Sequence, residues 1–165
     1  MARKPPFTFK VGDLIVYPAH GVGRIISVGR HEIHGAEIEL ISVFIEEEAL
    51  TLKIPSSRAE RSGMRALSDR PLAERALSLM KTRPRGKTGT WNRRAQEYEK
   101  KIHSGDLILA AEVVRDLRQK SGSYSERQIY ERALNRVARE IGPILGREPE
   151  LIKSQIESGP DKAAA

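Results

Sequence analysis

At 165 residues, with 39% hydrophobic and 31% charged side chains, the chain has room for one ordinary domain or two small ones around packed cores. It holds no cysteine, which excludes a disulfide framework, a thiolate nucleophile and a Cys-based zinc site. No run approaches the roughly 18–20 apolar residues of a membrane span, and the opening MARKPPFTFK lacks the apolar centre of a signal peptide, so a cytoplasmic protein is expected.

The formal charge of +7 is unevenly divided: residues 1–60 hold seven Lys/Arg and eight Asp/Glu, whereas residues 61–165 hold 22 and 14. Two halves with different electrostatics suggest two partners, and the basic half suits a phosphate polyanion.

From Phe9 the chain reads as short strands. FKVGDLIVYP, GRIISVGRHEIHG, AEIELISVFI and ALTLKIP are each rich in Val, Ile and Leu and bounded by turn residues. Four or five such strands in about 50 residues predict a small antiparallel barrel or curled sheet. Ile38, Leu40, Ser42 and Phe44 alternate against Glu37, Glu39 and Ile41. Pro18 and Pro55 end the first and last runs, where no ladder donor is needed. Such a sheet leaves an edge open, and the run Ala49 to Ile54, broken by Lys53, is the candidate for pairing with another protein's strand. Lys53 is equally the residue type that guards an edge against pairing.

Catalytic and metal sites find little support. Glu46, Glu47 and Glu48 are consecutive in a turn and do not converge as a catalytic pair. His20, His31, His34 and His103 are scattered, and the HxxH spacing of His31 and His34 falls at a hairpin tip without a third ligand. HGVGR lacks the third glycine of a dinucleotide fingerprint, with Ile26 in its place. Gly86-Lys87-Thr88 lacks both the first glycine and the strand of a phosphate loop.

Residues 59–70 mix charge with glycine and read as the passage between the halves. Helices follow. PLAERALSLMKT starts behind Asp69 and Pro71, with Leu72, Ala76, Leu79 and Met80 on one face. TWNRRAQEYEKKIHSG takes Thr90 as its cap and closes at Gly105, and DLILAAEVVRDLRQKSG starts at Asp106 with a stripe of Leu107, Ala110, Ala111, Val114 and Leu117. SYSERQIYERALNRVAREIG offers two overlapping capping boxes, at Ser123 and Ser125, before Ile129, Leu134, Val137 and Ile141. A fifth helix is expected over about Pro149–Glu157, with 159–165 as a disordered tail.

The stretch Lys81 to His103 holds eight Lys/Arg against Glu97 and Glu99, together with the only tryptophan. Trp91 falls in the first turn of its helix, directly after a basic loop, where exposure is commoner than in mid-helix. Two readings of this residue compete: packing into the core, and contact with nucleic acid, where an apolar ring can wedge between base steps while cations hold phosphates.

Three segments in this order carry a family resemblance. FKVGDLIVYPAHGVGRI, LTLKIP and TWNRRAQEYEKKIHSGDLILAAEVVRDL are similar to signature segments of the CarD family of bacterial transcription factors, which includes the CarD and CdnL proteins. The likeness runs from about Phe9 to Ile156. It implies an α+β protein of two domains: a Tudor-like or SH3-like antiparallel β-barrel over 1–58, and an all-helical bundle of about five helices over 71–158.

It further implies a monomeric non-enzyme without cofactor, small-molecule substrate or membrane, associated with the nucleoid through RNA polymerase. The β-domain would bind the β1 lobe (protrusion) of the polymerase β subunit by strand addition, through Lys53 with Leu52, Ile54 and Pro55. A second contact falls at His31, where some members have arginine. The helical domain would bind promoter DNA at the upstream edge of the melted −10 region and stabilise the open complex. Trp91 matches the family's wedge, and Arg93 and Arg94 match the basic pair beside it. Gln96 stands at one basic DNA-contacting position, so Arg85, Lys87 and Lys100 are expected to take more of the phosphate load. On charge alone, a general basic DNA- or RNA-binding protein acting without polymerase stays open.

Overall fold

The computed structural model describes residues 9–86, 89–118 and 122–163. It divides into two compact units, Met1–Leu67 and Ser68–Ala165. The first is a five-stranded antiparallel sheet and the second a group of helices, the α+β layout expected.

The strands are β1 (Leu14–Tyr17), β2 (Gly21–Ile33), β3 (Ala36–Ile45), β4 (Leu50–Pro55) and β5 (Arg65–Ala66), in the order β4-β3-β2-β1-β5. A short helix α1 (Ser56–Ala59) follows β4 directly. Ile15, Ile25, Ile41, Val43, Ile45 and Ile54 close the core with Ala59 and Met64. In β3 the buried face is therefore that of Ile41, Val43 and Ile45, continuous with Glu37 and Glu39, while Ile38 and Leu40 are half-buried on the other face. Ile38 lies where β2 and β3 run on together past the end of β4 and Leu40 stands opposite Pro55, so both fall on the side of β3 opposite Ile41, Val43 and Ile45. A bulge between Ile25 and Ser27 lets the long β2 change its twist and leaves Ile26 exposed.

Strand β5 lies inside the stretch read as a passage between the halves. It pairs with β1, Ala66 opposite Ile15 and Arg65 opposite Val16, and the buried Met64 anchors it. Two residues carry no alternation, so this strand exists through its tertiary pairing alone.

The helices are α2 (Arg70–Met80), α3 (Trp91–His103), α4 (Leu107–Leu117), α5 (Tyr124–Leu145) and α6 (Pro149–Ala163). Their starts follow from side chains that satisfy orphan amide donors. Asp69 accepts from Leu72 N–H at 2.9 Å, Thr90 from Arg93 at 3.4 Å, Asp106 from Leu109 at 3.1 Å and Ser123 from Glu126 at 3.3 Å. Of the two overlapping boxes on α5, the one at Ser123 makes the cap. Gly146, at φ 68°, closes α5, and Arg147 N–H returns to Gly142 O at 2.9 Å.

Helix α4 packs against α2, α3 and α5. It buries Val113 and Arg115 as well as the expected stripe, because neighbours cover it on more than one side. Helix α6 continues through Gly159 and Pro160 to Ala163, beyond the end read at Glu157, where the apolar positions stop at Ile156. The remaining two residues of the expected tail lie outside the described residues.

Candidate nucleic-acid and protein interfaces

The basic stretch begins where α2 ends. Lys81, Arg83 and Arg85 are exposed, and Lys87 lies outside the described residues. The loop has its own tethers. Thr82 Oγ1 donates to Leu79 O at 2.6 Å, the Arg118 guanidinium donates to Met80 O, and Arg85 N–H donates to Asp116 Oδ1 at 3.0 Å. Asp116 also accepts from Arg115 Nε at 2.9 Å, and both side chains are almost wholly buried. A carboxylate rooted in α4 thus holds the backbone of the basic loop. Sequence reading missed it because nothing local links positions 85 and 116.

Trp91 opens α3. It is half-buried and packs on the rim of the helical core, its ring centre 6.4 Å from that of the buried Tyr98 at an interplanar angle of 48°. The two readings of this residue are therefore compatible: one part of the ring rests on protein and the rest faces solvent. The Arg94 guanidinium lies 5.5 Å from the Trp91 centroid and 5.8 Å from that of Tyr98, so it covers both rings. Trp91, Arg94, Ala95, Tyr98 and Ile102 share the packed side of α3 at helical spacing.

The cations around the ring differ in availability. Arg93 is 79% exposed, with Glu97 a loose 3.9 Å away, and Lys100 is exposed without an ion pair among the described residues. Lys101 is held at 3.0 Å by Glu112, both mostly buried, and Glu99 takes Arg132 and His103. Gln96 is exposed on the same helix. Outside Lys81–His103 the unit Ser68–Ala165 holds twelve Lys/Arg and twelve Asp/Glu, so its entire net charge lies in this stretch. A concentration of positive charge of this kind suits a phosphate polyanion.

Among the described residues of the sheet unit, β4 pairs only with β3 and ends the strand order, so no described strand covers its outer edge. Lys53 stands opposite Ser42, Thr51 opposite Phe44 and Pro55 opposite Leu40, all on the face turned away from the core. Leu52 and Ile54 take the other face, half-buried and buried respectively. His31 is exposed opposite Ile38, on the same outer face as Lys53. Four residues of β3 separate their cross-strand partners, roughly 13 Å at strand rise.

Two family models match the chain. The CarD-like/TRCF RID domain covers residues 9–68, and the CarD C-terminal domain covers residues 75–157. The chain is similar to a Bacillus subtilis protein named "Putative transcription factor YdeB", 27% identical over 150 residues that cover 88% of this chain and 98% of that one. It is also similar to the 72-residue N-terminal domain of Myxococcus xanthus CarD, solved by solution NMR. That likeness is 26% identical, covers 39% of this chain and 93% of the domain, and has a TM-score of 0.31.

Proposed function

Since the chain belongs to the CarD family, we propose that it regulates transcription initiation by joining RNA polymerase to promoter DNA. The sheet unit docks on the β1 lobe of the polymerase β subunit along the β4 edge. The helical unit meets DNA at the upstream edge of the −10 bubble and stabilises the open complex. Neither role is catalysis.

The observation that carries this reading is Trp91, half-buried at the head of a helix that exposes Arg93 and Lys100 and follows a loop that exposes Lys81, Arg83 and Arg85. A ring already seated on Tyr98 and clamped by Arg94 loses little freedom when it meets a base step. Arg93, Lys100 and Arg85 hold phosphates around it, which adds affinity without much sequence reading. A wedge gains contact only where bases are unstacked, so its binding energy favours the melted promoter over the closed one. Base–aromatic stacking is worth about 1–3 kcal/mol, and each ~1.4 kcal/mol is tenfold in population.

Weak DNA contact by itself gives no address. The β4 edge supplies one: an added strand gains main-chain hydrogen bonds along Leu50–Pro55, and the exposed Lys53 and His31 read its side chains. The family likeness of residues 9–68 supports polymerase as the owner of that strand.

The test is open-complex lifetime on a purified promoter. Trp91→Ala, folded by circular dichroism, should shorten the lifetime gained from the protein by about tenfold or more; an unchanged lifetime rejects the wedge. Lys53→Glu should abolish binding to the polymerase β lobe and leave weak DNA binding intact. Full-strength DNA binding without polymerase in a gel shift would favour the general basic nucleic-acid binder instead.

A further inference from the structure

At the end of β4 the sheet unit carries an open cleft of about 380 Å³, lined by Lys53, Ile54 and Pro55 of β4 together with Tyr17, Arg58, Arg61 and Ser62. Three of these residues are cations, and among the described residues no acid lines the cleft. Among the described residues the side chains of Lys53, Arg58 and Arg61 make no ion pair or hydrogen bond, and all three residues are exposed. Like charges gathered in one hollow repel one another, and they remain together at little cost only where a counter-charge arrives.

We propose that this cleft takes an aspartate or glutamate side chain of the strand that pairs with β4. Its assignment to polymerase rests on the strand-addition reading above. Lys53 belongs both to the edge and to the cleft, so a strand laid along β4 carries its alternate side chains past Lys53 and Pro55 to the mouth of the hollow. Arg58, on α1, and Arg61, in the turn after it, present guanidinium forks that match a carboxylate bidentately. Tyr17, Ile54 and Pro55 give the cleft apolar walls beside its cations. A carboxylate fits better than a DNA phosphate. The unit Met1–Leu67 holds nine Lys/Arg and eight Asp/Glu, so it offers no basic track for a duplex, and these cations converge on one point.

Two measurements on the full chain decide it. In the first, Arg58→Gln/Arg61→Gln is compared with wild type for binding to purified RNA polymerase. A loss on the order of tenfold, mainly in dissociation rate, is expected. Equal binding overturns the cleft while leaving strand addition in place. In the second, the side-chain Nε–H resonances of Arg58 and Arg61 are followed by NMR against a six-residue peptide alternating threonine and glutamate, its threonine–glutamine counterpart, and duplex DNA. Shifts with the glutamate peptide alone support the proposal even if wild type fails to bind polymerase, an outcome that would count against strand addition only. No response, equal response to the glutamine peptide, or a larger response to DNA overturns it.

Discussion

Arg94 lies over the face of Trp91, its guanidinium 5.5 Å from the ring centre. A cation in that position is worth about 0.5–1 kcal/mol at an exposed site and about 2 kcal/mol when desolvated. The same guanidinium spans Tyr98, so it is committed to the rings and holds the indole in place. Arg93, one residue earlier and 79% exposed, is the freer partner for phosphate. Arg94→Ala should therefore free the ring without unfolding α3. As Trp91 is the only tryptophan, intrinsic fluorescence reports it alone. A red-shifted emission in Arg94→Ala, with emission near wild type in Arg93→Ala, is the expected pair of results. Identical emission in both variants rejects the division of roles.

Asp116 ties Arg85 to the bundle, accepting its backbone N–H at 3.0 Å while pairing with Arg115 at 2.9 Å. Asp116→Ala leaves a buried arginine uncompensated, a loss of about 3–5 kcal/mol for pairs of this kind. Asp116→Asn keeps an acceptor for Arg85 and loses only the charge. Hydrogen exchange at the Arg85 amide should rise sharply in the alanine variant and stay protected in the asparagine variant. Protection unchanged in both would show that the loop is held by Thr82 and Arg118 instead.

What the sequence discloses depends on how local the cause is. The starts of α2 to α5 are legible because Asp69, Thr90, Asp106 and Ser123 each act within three residues of themselves. Strand β5 is not legible, since its two residues owe their extended form to Ile15 and Val16, some fifty positions away. The face of β3 misleads at Ile38 and Leu40 because alternation marks two faces without saying which one a second layer will cover. The basic stretch and its tryptophan stand out in composition. The cover that Arg94 gives Trp91, the Asp116 tether and the cleft of Arg58 and Arg61 are products of tertiary placement, which no spacing rule encodes.

Two glycines test the two cores separately. A Cβ at Gly23 would meet Val43 Cγ1 at 2.5 Å and Ile45 Cδ1 at 2.7 Å, inside the sheet core. A Cβ at Gly142 would meet Arg147 O at 2.7 Å, a backbone atom of the turn that closes α5. Each substitution to alanine should cost about 1–3 kcal/mol by overpacking. Thermal unfolding followed through Trp91, which lies in the helical unit, should drop for Gly142→Ala. Gly23→Ala should instead weaken polymerase binding and leave that transition near wild type.

Tyr130, between α5 and α6, has its pKa pushed up from 10.0 to about 12, first by burial and then by the negative charges of Glu157 and Glu131. The protonated phenol is the neutral form, so the folded state holds this proton more tightly than the unfolded chain does. Its contribution to stability is full below about pH 10 and is lost as pH rises towards 12. Tyr130→Phe should flatten that part of the stability profile in chemical denaturation. Equal alkaline slopes in the two proteins would place the loss elsewhere.

Adjacent lysines on α3 separate charge that can bind phosphate from charge already spent inside the protein. Lys100 is exposed and unpaired among the described residues, while Lys101 sits 3.0 Å from Glu112, with both side chains mostly shielded from solvent. A lysine that neutralises a phosphate releases counterions, and each such contact contributes about 0.9 to the slope of log affinity against log salt. Lys100→Ala should therefore lower that slope by about one for DNA binding and leave folding stability within about 0.5 kcal/mol of wild type. Lys101→Ala should leave the slope unchanged, because its charge is answered by Glu112 before DNA arrives. It should instead reduce stability, by leaving the partly buried Glu112 carboxylate of α4 without its cation. A slope that falls equally in both variants would mean that the Glu112 pair opens on binding, and that the phosphate contacts extend one residue further along α3.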